Sequence, residues 1–322
     1  MKSLKLLTIS LILVVLVGWN SSALAVEARF GVDSFILGAQ MRAAMEEGIF
    51  EKYGIEAKIL TFSYGVHTVD AILTGQTDFG VCMDFAMLTR LVTDQLVILA
   101  TIIEPEPGWH KLAVTADIQG PEDLVGKKLG LATGTLQEYV TYKYLEVNGI
   151  PKDDVNYLRF TALYDIVAVI GTGDIDGAWV WGQGVEEVLK TEGIHILCDD
   201  GAAGHRSYGF LIASVDFVRA NRELTVSIIK ALTEATGWIN NNMEEAAEIV
   251  AEQIGAPEKV ILTEMERENY CLKFGRDHAD SLNTLLSWMY EAEIIEKHLE
   301  AEHYINTSPL WMSDPERVEL HL

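Results

Sequence analysis

Residues 48–80 read GIFEKYGIEAKILTFSYGVHTVDAILTGQTDFG, and this stretch decides the fold that we predict for the chain. Gly48 suits the left-handed conformation that ends a helix, and Gly54 interrupts the chain before a strand with alternating apolar residues. An apolar helix follows and ends at Gly75, after which residues 78–83 form a short apolar strand. Together with the strand that precedes it, the stretch predicts a compact βαβαβ unit and therefore an α/β fold.

The first 25 residues have the composition of a secretory leader. Lys2 and Lys5 precede an apolar run at residues 6–17, and the small residues at 23–25 suit signal peptidase. An uncleaved membrane anchor is the alternative, but the run is shorter than the roughly 20 residues that a bilayer span requires. We therefore predict a cleaved signal peptide at residues 1–25 and a mature protein in the periplasm.

The rest of the chain is apolar enough to fold and is strongly acidic. The 322 residues are 49% hydrophobic, which suffices for one large core or two medium ones. The formal net charge is -24, and removal of the two leader lysines brings it to -26. Such a charge repels nucleic acids and anionic membranes, so we expect neither as a partner.

The common motifs of enzymes and metal sites are missing from the sequence. It contains no G-x-S-x-G elbow, no Walker loop, no H-E-x-x-H and no paired C-x-x-C. His67 and Asp70 would supply only a partial metal site. Cys82, Cys198 and Cys271 are too widely spaced for a disulfide framework, although a bridge between Cys198 and Cys271 stays open. We expect no enzyme activity, no metal and no cofactor.

The order of the predicted elements indicates two lobes. The sequence EPEPG at 104–108 interrupts a strand pattern with two prolines and a glycine, as a crossing between lobes would. A second series of strands and helices follows, and a later loop leads back to another strand. We predict a discontinuous first lobe of residues 26–108 and 205–322, a second lobe of residues 109–204, and only helices from residue 221 onward.

Five segments resemble one protein family by their order and spacing. They read EGIFEKYGIEAKI (47–59), AILTGQTDFG (71–80), EDLVGKKLGLATGT (122–135), GTGDIDGAWVW (171–181) and SYGFLIASVDFVRANRELTVSIIKAL (207–232). The chain resembles the periplasmic solute-binding proteins of ABC transporters, in the branch that serves sulfonates, taurine, nitrate and thiamine precursors. This resemblance implies a two-lobed type II periplasmic binding fold, in which each lobe is a mixed sheet flanked by helices and the ligand cleft lies between the lobes.

The resemblance also implies how the protein would work. Such proteins close their lobes over a small-molecule ligand and present the closed form to a membrane ABC permease. We therefore expect a monomeric binding protein for transport. The two rivals are a fold-sharing enzyme of the hydroxymethylpyrimidine synthase type and a sensory binding protein. The secretory leader and the missing cysteine-rich motif of those synthases argue against the enzyme.

Three turns of the first lobe are candidates for ligand contacts. Each turn follows a strand, and α/β sheets bind ligands where strands lead into helices. We expect the three turns to line one rim of the first sheet. The candidate residues are Asp33, Phe35, Ser63, Tyr64, Gly65, Asp84 and Phe85.

The second lobe and the crossings supply the opposite rim. Gly134 and Thr135 open a helix whose free amides can hold an acidic group, unless Thr135 and Glu138 form a capping box that satisfies those amides. Trp179 and Trp181 would share one face of a strand and suit stacking or a cation, unless one belongs to the core. The crossings add Trp109, Arg206 and Tyr208.

The rim residues bear on the charge of the ligand. The resembling proteins bind small anions, yet Asp33 and Asp84 lie on the first-lobe rim, and Arg206 is the fixed positive charge nearby. A zwitterion would satisfy both, with its ammonium at an aspartate and its acidic end at the Gly134–Thr135 amides. We expect a sulfonate or a zwitterion such as taurine, with an amine-type cation next. Alternatively, both aspartates only cap the helices that follow them.

Overall fold

The structure is a computed structural model that describes residues 26–204 and 206–319. The predicted signal peptide at residues 1–25 therefore lies outside the described residues. Within those two ranges the chain forms eleven strands. In chain order they are β1 (Val26–Asp33), β2 (Ile55–Phe62), β3 (Phe79–Met83), β4 (Leu96–Pro105), β5 (Lys111–Thr115), β6 (Lys128–Ala132), β7 (Asn156–Phe160), β8 (Gly177–Val180), β9 (Ile194–Asp199), β10 (Gly209–Ser214) and β11 (Glu268–Lys273).

Thirteen α-helices accompany these strands in the same part of the chain. They are α1 (Ala39–Glu46), α2 (Ile49–Lys52), α3 (Gly65–Leu73), α4 (Asp84–Leu88), α5 (Leu136–Val147), α6 (Leu163–Thr172), α7 (Gln183–Val188), α8 (Val215–Ala220), α9 (Arg222–Asn241), α10 (Met243–Ile254), α11 (Glu258–Met265), α12 (Arg276–Glu291) and α13 (Ser308–Ser313). None of the described helices combines the length and the apolar character that a membrane span requires.

The first sheet contains six strands in the order β11-β4-β10-β3-β1-β2. The pairs of β1 with β2 and with β3 are parallel, whereas the pairs that involve β10 or β11 are antiparallel. The sheet therefore combines strands that are distant in sequence, with β10 in its middle. The predicted order of strand, helix and strand within residues 48–80 is confirmed by β2, α3 and β3, and Gly48 has the expected positive φ of 65°.

The second sheet contains five strands in the order β7-β6-β8-β5-β9, all within residues 111–199. The pairs of β6 with β7 and β8 are parallel, and the pairs of β5 with β8 and β9 are antiparallel. Helices α5, α6 and α7 pack against this sheet. We call the first sheet with its helices the first lobe, and the second sheet with its helices the second lobe. The predicted mixed sheets flanked by helices are thus confirmed.

The prediction of helices only from residue 221 onward is wrong at β11. This strand joins the edge of the first sheet by antiparallel pairing with β4, where Tyr270 lies opposite Ile103. Tyr270 and Leu272 of this strand are fully buried, whereas the side chain of Asn269 is exposed. A six-residue strand between two amphipathic helices gives a weak periodic signal, and its pairing partner is distant in sequence.

Packing in the first lobe fixes the end of β1. The ring of Phe30 stacks on those of Phe50 and Phe79, with centroids 5.0 and 5.2 Å away. Arg42 of α1 is buried and donates a hydrogen bond from Nη2 to the backbone carbonyl of Asp33 over 2.9 Å. Since both contacts hold the strand against its neighbours, Asp33 has a defined position at the edge of the sheet.

Candidate ligand-binding site

A mostly apolar cavity lies between the two sheets. Its volume is about 70 Å³, so the closed lobes leave room for only a small solute. The first lobe lines it with Asp33, Phe35, Leu37, Tyr64, Gly65, Val66, Met83, Ala86, Ile103 and Pro105. The second lobe and the crossing before it contribute Trp109, His110, Thr135, Leu136, Gln137 and Trp181.

Four side chains with rings meet inside this cavity, and we call Phe35, Tyr64, His110 and Trp181 the aromatic cluster. The centroid of the Trp181 ring lies 5.7 Å from that of Phe35, 5.7 Å from that of Tyr64 and 5.3 Å from that of His110. Strand β8 ends at Val180, so Trp181 follows the strand and reaches the first lobe. The aromatic cluster therefore joins the two lobes.

Asp33 brings a buried carboxylate to the cavity. It is the last residue of β1, it is 6% exposed, and its Oδ1 accepts the N–H of Phe35 over 3.2 Å. Burial raises the pKa of this carboxyl to about 6, although the positive charge of Arg42 acts in the opposite direction. The Asp33 carboxylate thus lies in an apolar environment that compensates its charge only in part.

The hydroxyl of Tyr64 is the unsatisfied polar group of the cavity wall. Tyr64 is 3% exposed, and its oxygen has no hydrogen-bond partner among the described residues. The close approach of α3 to β3 holds the ring there, because a Cβ atom at Gly65 would lie only 3.0 Å from the Cα of Cys82. An unpaired buried hydroxyl costs about 1–3 kcal/mol, so a ligand that bonds to it gains affinity.

The start of α5 differs from both sequence-based alternatives. Glu138 Oε2 accepts the N–H of Gly134 over 2.6 Å, while the Thr135 hydroxyl donates to the carbonyl of Ala132 over 2.8 Å. The capping box, which was the alternative to free amides, does not form, because Thr135 does not cap the helix with its side chain and Glu138 binds Gly134 instead of Thr135. The amide of Gly134 is occupied from within the protein. The first-turn amides of Leu136 and Gln137 remain as donors at the cavity wall.

The structure brings some predicted contact residues together and separates others. It places in the cavity Asp33, Phe35, Tyr64, Gly65, Trp109, Thr135 and Trp181. It places outside the cavity lining Ser63, Asp84, Phe85, Gly134, Trp179, Arg206 and Tyr208.

Trp179 lies in the core of the second lobe. It is 1% exposed and packs edge-on against Tyr144 of α5, with ring centroids 5.5 Å apart. Strand β8 ends at Val180, so Trp181 lies beyond the strand in which Trp179 lies. Of these two tryptophans, Trp181 lines the cavity.

The third turn of the first-lobe rim is covered by the chain itself. Asp84 is 1% exposed, and its carboxylate accepts the N–H groups of Phe85 over 2.7 Å and of Tyr208 over 3.3 Å. Phe85 is buried and stacks on Tyr139, while Tyr208 packs edge-on against His278. The bond between Tyr208 and Asp84 joins the end of β3 to the start of β10, and Phe85 stacks on a ring of the second lobe, so these residues are occupied by contacts within the protein.

Ser63, Gly134 and Arg206 lie near the cavity without lining it. The carbonyl of Ser63 accepts the hydroxyl of Ser34 over 3.3 Å at the exposed side of the rim. Arg206 lines an adjoining recess that shares Trp109 with the cavity, and its guanidinium lies 5.3 Å from the Tyr208 ring centroid. The predicted positive charge is therefore next to the cavity and outside it.

Two polar residues of the cavity wall were missed by the sequence analysis. His110 is 4% exposed, and its Nδ1 lies 3.1 Å from Oδ2 of Asp200. Gln137 binds the chain of the second lobe, since its Nε2 donates to the carbonyl of Gly130 over 2.9 Å. His110 was indicated only by its position beside Trp109 in the crossing, and Gln137 only by its position in the first turn of the helix that Gly134 and Thr135 open.

The cysteines and histidines give no second centre of chemistry in the described ranges. The bridge that the sequence left open between Cys198 and Cys271 is not formed, because β9 and β11 belong to different sheets. One group of three potential metal ligands, Glu104, Asp277 and His278, lies away from the cavity lining. Its Glu104 already accepts a bond from Lys273 over 3.0 Å, so this group reads as a structural network.

A second recess runs along the boundary of the lobes, and Trp109 lines both spaces. It contains Glu264 and Glu268, which we call the acidic seam. Glu264 Oε1 and Glu268 Oε2 are buried without hydrogen-bond partners among the described residues. A Cβ atom at Gly182 of the second lobe would lie 3.0 Å from Glu264 Oε1, so the seam touches the opposite lobe. Burial raises the pKa of Glu264 to about 7 and that of Glu268 to about 8.

Known proteins share both sequence and fold with the chain. A protein of Brucella abortus (strain 2308), provisionally named as a binding protein, is 25% identical to this chain over 219 residues. The match covers 65% of this chain and 65% of that protein. The taurine-binding periplasmic protein of Escherichia coli (strain K12) is 26% identical over 178 residues, 54% of each chain. The periplasmic aliphatic sulphonate binding protein SsuA from Escherichia coli matches in structure with a TM-score of 0.74 at 19% identity, covering 87% of this chain and 97% of that chain.

These comparisons confirm the predicted fold and family. The structural match extends over both lobes, so the chain has the two-lobed fold of the periplasmic binding proteins. The family described as NMT1/THI5 like matches residues 39–246, which is more than half of the chain. The chain therefore belongs to the NMT1/THI5-like family.

Proposed function

We propose that this protein captures a small solute between its lobes in the periplasm and delivers it to a membrane ABC permease. The observation that carries the proposal is the cavity lined by both lobes, with the buried Tyr64 hydroxyl unpaired. A concave, mostly apolar site with a few polar groups is typical of small-molecule recognition. The names of the relatives from Escherichia coli support the same role.

Contacts across the cleft support lobe closure as the mechanism. Trp288 of α12 donates from Nε1 to Glu146 Oε2 over 2.6 Å, and its ring packs edge-on against Tyr139 at 4.8 Å. Lys152 of the second lobe donates to the carbonyl of Ala292 over 3.2 Å. These contacts would break on opening, so the structure corresponds to the closed form that a permease would recognise.

The hinge in this proposal consists of the two crossings between the sheets. One crossing joins β4 to β5, and the other leads from β9 toward β10. Asp200 links them, since its Oδ2 accepts the N–H of His110 over 2.9 Å and its Oδ1 accepts that of Gly108. All five strands of the second sheet lie within residues 111–199, which supports residues 109–204 as the second lobe.

For the ligand we propose a sulfonate or a zwitterion such as taurine. The name of the taurine-binding relative supports this class. The amides of Leu136 and Gln137 at the start of α5 offer donors for the acidic end of such a ligand. A monomer suffices, because a single chain forms the whole cavity.

The two rivals make different demands on the same site. An enzyme of the hydroxymethylpyrimidine synthase type would use the cysteine-rich motif that the sequence lacks, and no cysteine lines the cavity within the described residues. A sensory protein would use the same cavity and the same closure. Sensing and transport therefore differ only in the membrane partner that binds the closed form.

Small-angle scattering combined with native mass spectrometry tests the proposal. We expect the purified protein to carry a non-covalent small molecule, to expand when that molecule is removed by unfolding and refolding, and to contract when it is returned. A radius of gyration that stays constant although binding is proven would overturn lobe closure. A covalently modified residue in place of a bound molecule would favour the enzyme.

A further inference from the structure

The fixed charge inside the cavity is negative. Among the described residues that line it, Asp33 and His110 are the only side chains of acidic or basic type, and none is lysine or arginine. His110 is already bound to Asp200, which lies outside the cavity lining. A bare sulfonate would therefore meet a carboxylate that is compensated only in part, in an apolar cavity, and the Coulomb energy at such short range is unfavourable.

The Asp33 carboxylate has no cationic hydrogen-bond partner among the described residues, and the charge of Arg42 compensates it only in part. The nearest guanidinium is that of Arg42, and it donates to the Asp33 carbonyl, to the Thr61 hydroxyl over 3.2 Å and to Gln253 Oε1 over 3.0 Å. The carboxylate accepts backbone N–H groups of the turn instead, among them that of Phe35 over 3.2 Å. Burial raises the pKa of Asp33, and the positive charge of Arg42 offsets this effect only in part. A cation delivered by a ligand would supply what the protein does not.

The surroundings of Asp33 suit an organic cation. Phe35, Tyr64 and Trp181 present aromatic rings to the same cavity, and the faces of such rings attract a cation electrostatically. The unpaired Tyr64 hydroxyl offers an acceptor for one further N–H group. Its hydroxyl and the Asp33 carboxylate come from the turns after β2 and β1, which are parallel neighbours in the sheet.

We propose that this cavity recognises a protonated amine, whose N–H groups bind the Asp33 carboxylate and the Tyr64 hydroxyl while the rings of the aromatic cluster surround it. The amine is then the indispensable part of the ligand, and an acidic end adds affinity at the α5 amides. This proposal rests on the proposed solute-binding function and names its ligand class.

The competing explanation is that Asp33 only stabilises the turn after β1. In that case its carboxylate would serve only the backbone N–H groups of that turn, and replacement by Asn would lower stability without changing which ligands bind. The two explanations differ in ligand selectivity, which can be measured on the unaltered protein.

Pairs of nearly isosteric ligands test the proposal by calorimetric titration. Taurine and isethionate differ by an ammonium in place of a hydroxyl, as do propylammonium and 1-propanol. We expect the amine of each pair to bind about tenfold more tightly or better, as expected for a desolvated charge pair with aromatic contacts. Asp33→Asn should remove this preference. Asp78→Asn, which alters a buried carboxylate of the same lobe that pairs with Arg29 outside the cavity lining, should retain it.

Each outcome decides the question. Equal or tighter binding of isethionate, accompanied by contraction in scattering, would overturn the amine proposal and leave the solute-binding function intact. If no member of either pair binds, the molecule that co-purifies is identified by mass spectrometry, and a ligand without a basic nitrogen overturns the proposal while one with it supports it. If nothing binds and nothing co-purifies, the amine proposal fails together with the proposed function.

Discussion

The cavity and the acidic seam are two neighbouring spaces between the same lobes, and they use buried carboxylates differently. In the cavity, Asp33 accepts a backbone N–H and faces aromatic rings, so its charge is available to a ligand. In the seam, Glu264 and Glu268 have unpaired oxygens, and Glu264 lies against the backbone of the opposite lobe at Gly182. Trp181 lines the cavity, and the next residue, Gly182, lines the recess that contains the acidic seam.

This difference shows that the surroundings of a carboxylate decide its role. A carboxylate beside an open, aromatic space can gain a cationic partner when a ligand enters. A carboxylate pressed against a backbone loses water on closure and gains no partner, so its charge opposes closure. We infer that ligand binding favours the ionised form of Asp33, whereas closure favours the neutral forms of Glu264 and Glu268.

Replacing each tryptophan of the β8 region should produce the largest effects and separate the cavity from the core. We expect Trp179→Ala to lower the free energy of unfolding by about 3–5 kcal/mol, because a fully buried ring is removed. Trp181→Ala should weaken ligand binding by about 1–3 kcal/mol, because it removes the centre of the aromatic cluster. Thermal melts and calorimetric titration measure the two quantities.

The exposed Trp311 provides the control for both variants, since Trp311→Ala should change neither quantity. If Trp181→Ala lost stability as strongly as Trp179→Ala and bound ligand normally, the assignment of Trp181 to the ligand site would be wrong.

The acidic seam should make closure weaker as pH rises. Glu264 faces Glu186, Arg267 and Asp33, and burial still raises its pKa to about 7 in the closed form. The closed form therefore holds more protons than the open form between the ordinary range of glutamate, near pH 4.5, and about pH 8. Affinity should fall by up to about tenfold per pH unit for each group in this window and level off above it.

Variants of the seam sharpen this prediction. Glu268 faces Arg267, Glu264, Glu106 and Asp200, and the double change of Glu264→Gln with Glu268→Gln should flatten the fall of affinity between pH 6 and 8. Glu266→Gln, on an exposed residue between them, should leave it unchanged. An unchanged pH dependence in the double variant would show that the seam does not couple to closure.

The cavity should respond to pH in the opposite direction. The pKa of Asp33 is raised to about 6, so the carboxyl is largely neutral below that pH and must lose a proton to bind an amine. In the Glu264→Gln and Glu268→Gln double variant, where the seam no longer opposes this trend, affinity for taurine or propylammonium should therefore increase as pH rises toward 6, and binding should release a proton there. Titration in two buffers with different ionisation enthalpies measures this release, which Asp33→Asn should abolish. Proton uptake in this range by the Glu264→Gln and Glu268→Gln double variant would contradict the assignment to Asp33.

The smallest predicted effect concerns the Tyr64 hydroxyl. Tyr64→Phe removes an unpaired buried oxygen, so the ligand-free protein should gain up to about 1 kcal/mol in stability. Affinity for an amine should fall by about the same amount, because one acceptor is lost. Melting curves and titrations should show these opposite signs, and Tyr290→Phe at an exposed position is the matched control. A loss of stability in Tyr64→Phe would mean that the hydroxyl has a partner in solution.

Local patterns predicted most of the fold. Helix α5 begins at Leu136, directly after Gly134 and Thr135, as predicted, because a glycine and a threonine after a strand indicate a helix start. The turns after β1 and β2 lie at the cavity because strand ends in such sheets meet at one edge. Strand β11 was missed, since its pairing with β4 depends on contacts that no local pattern records.

The parts of the site that could not be predicted depend on tertiary packing. Asp84 follows a strand just as Asp33 does, yet Tyr208 covers it, and only the position of β10 decides this. Trp179 belongs to the core and Trp181 to the cavity, and this division depends on the residue at which β8 ends and on the packing of Tyr144 against Trp179. The unpaired oxygens of Glu264 and Glu268 arise from two lobes in contact, so nothing in the local sequence could indicate them.

The hydrogen bond from Trp288 to Glu146 also gives the protein an internal optical probe. In the closed form this indole bonds to a carboxylate of the opposite lobe and packs on Tyr139. Opening would transfer it to water, whereas Trp311 stays exposed in either form. The emission of Trp288 should therefore shift to longer wavelength when the lobes part, and rapid-mixing fluorescence could time each opening and closing event on unlabelled protein.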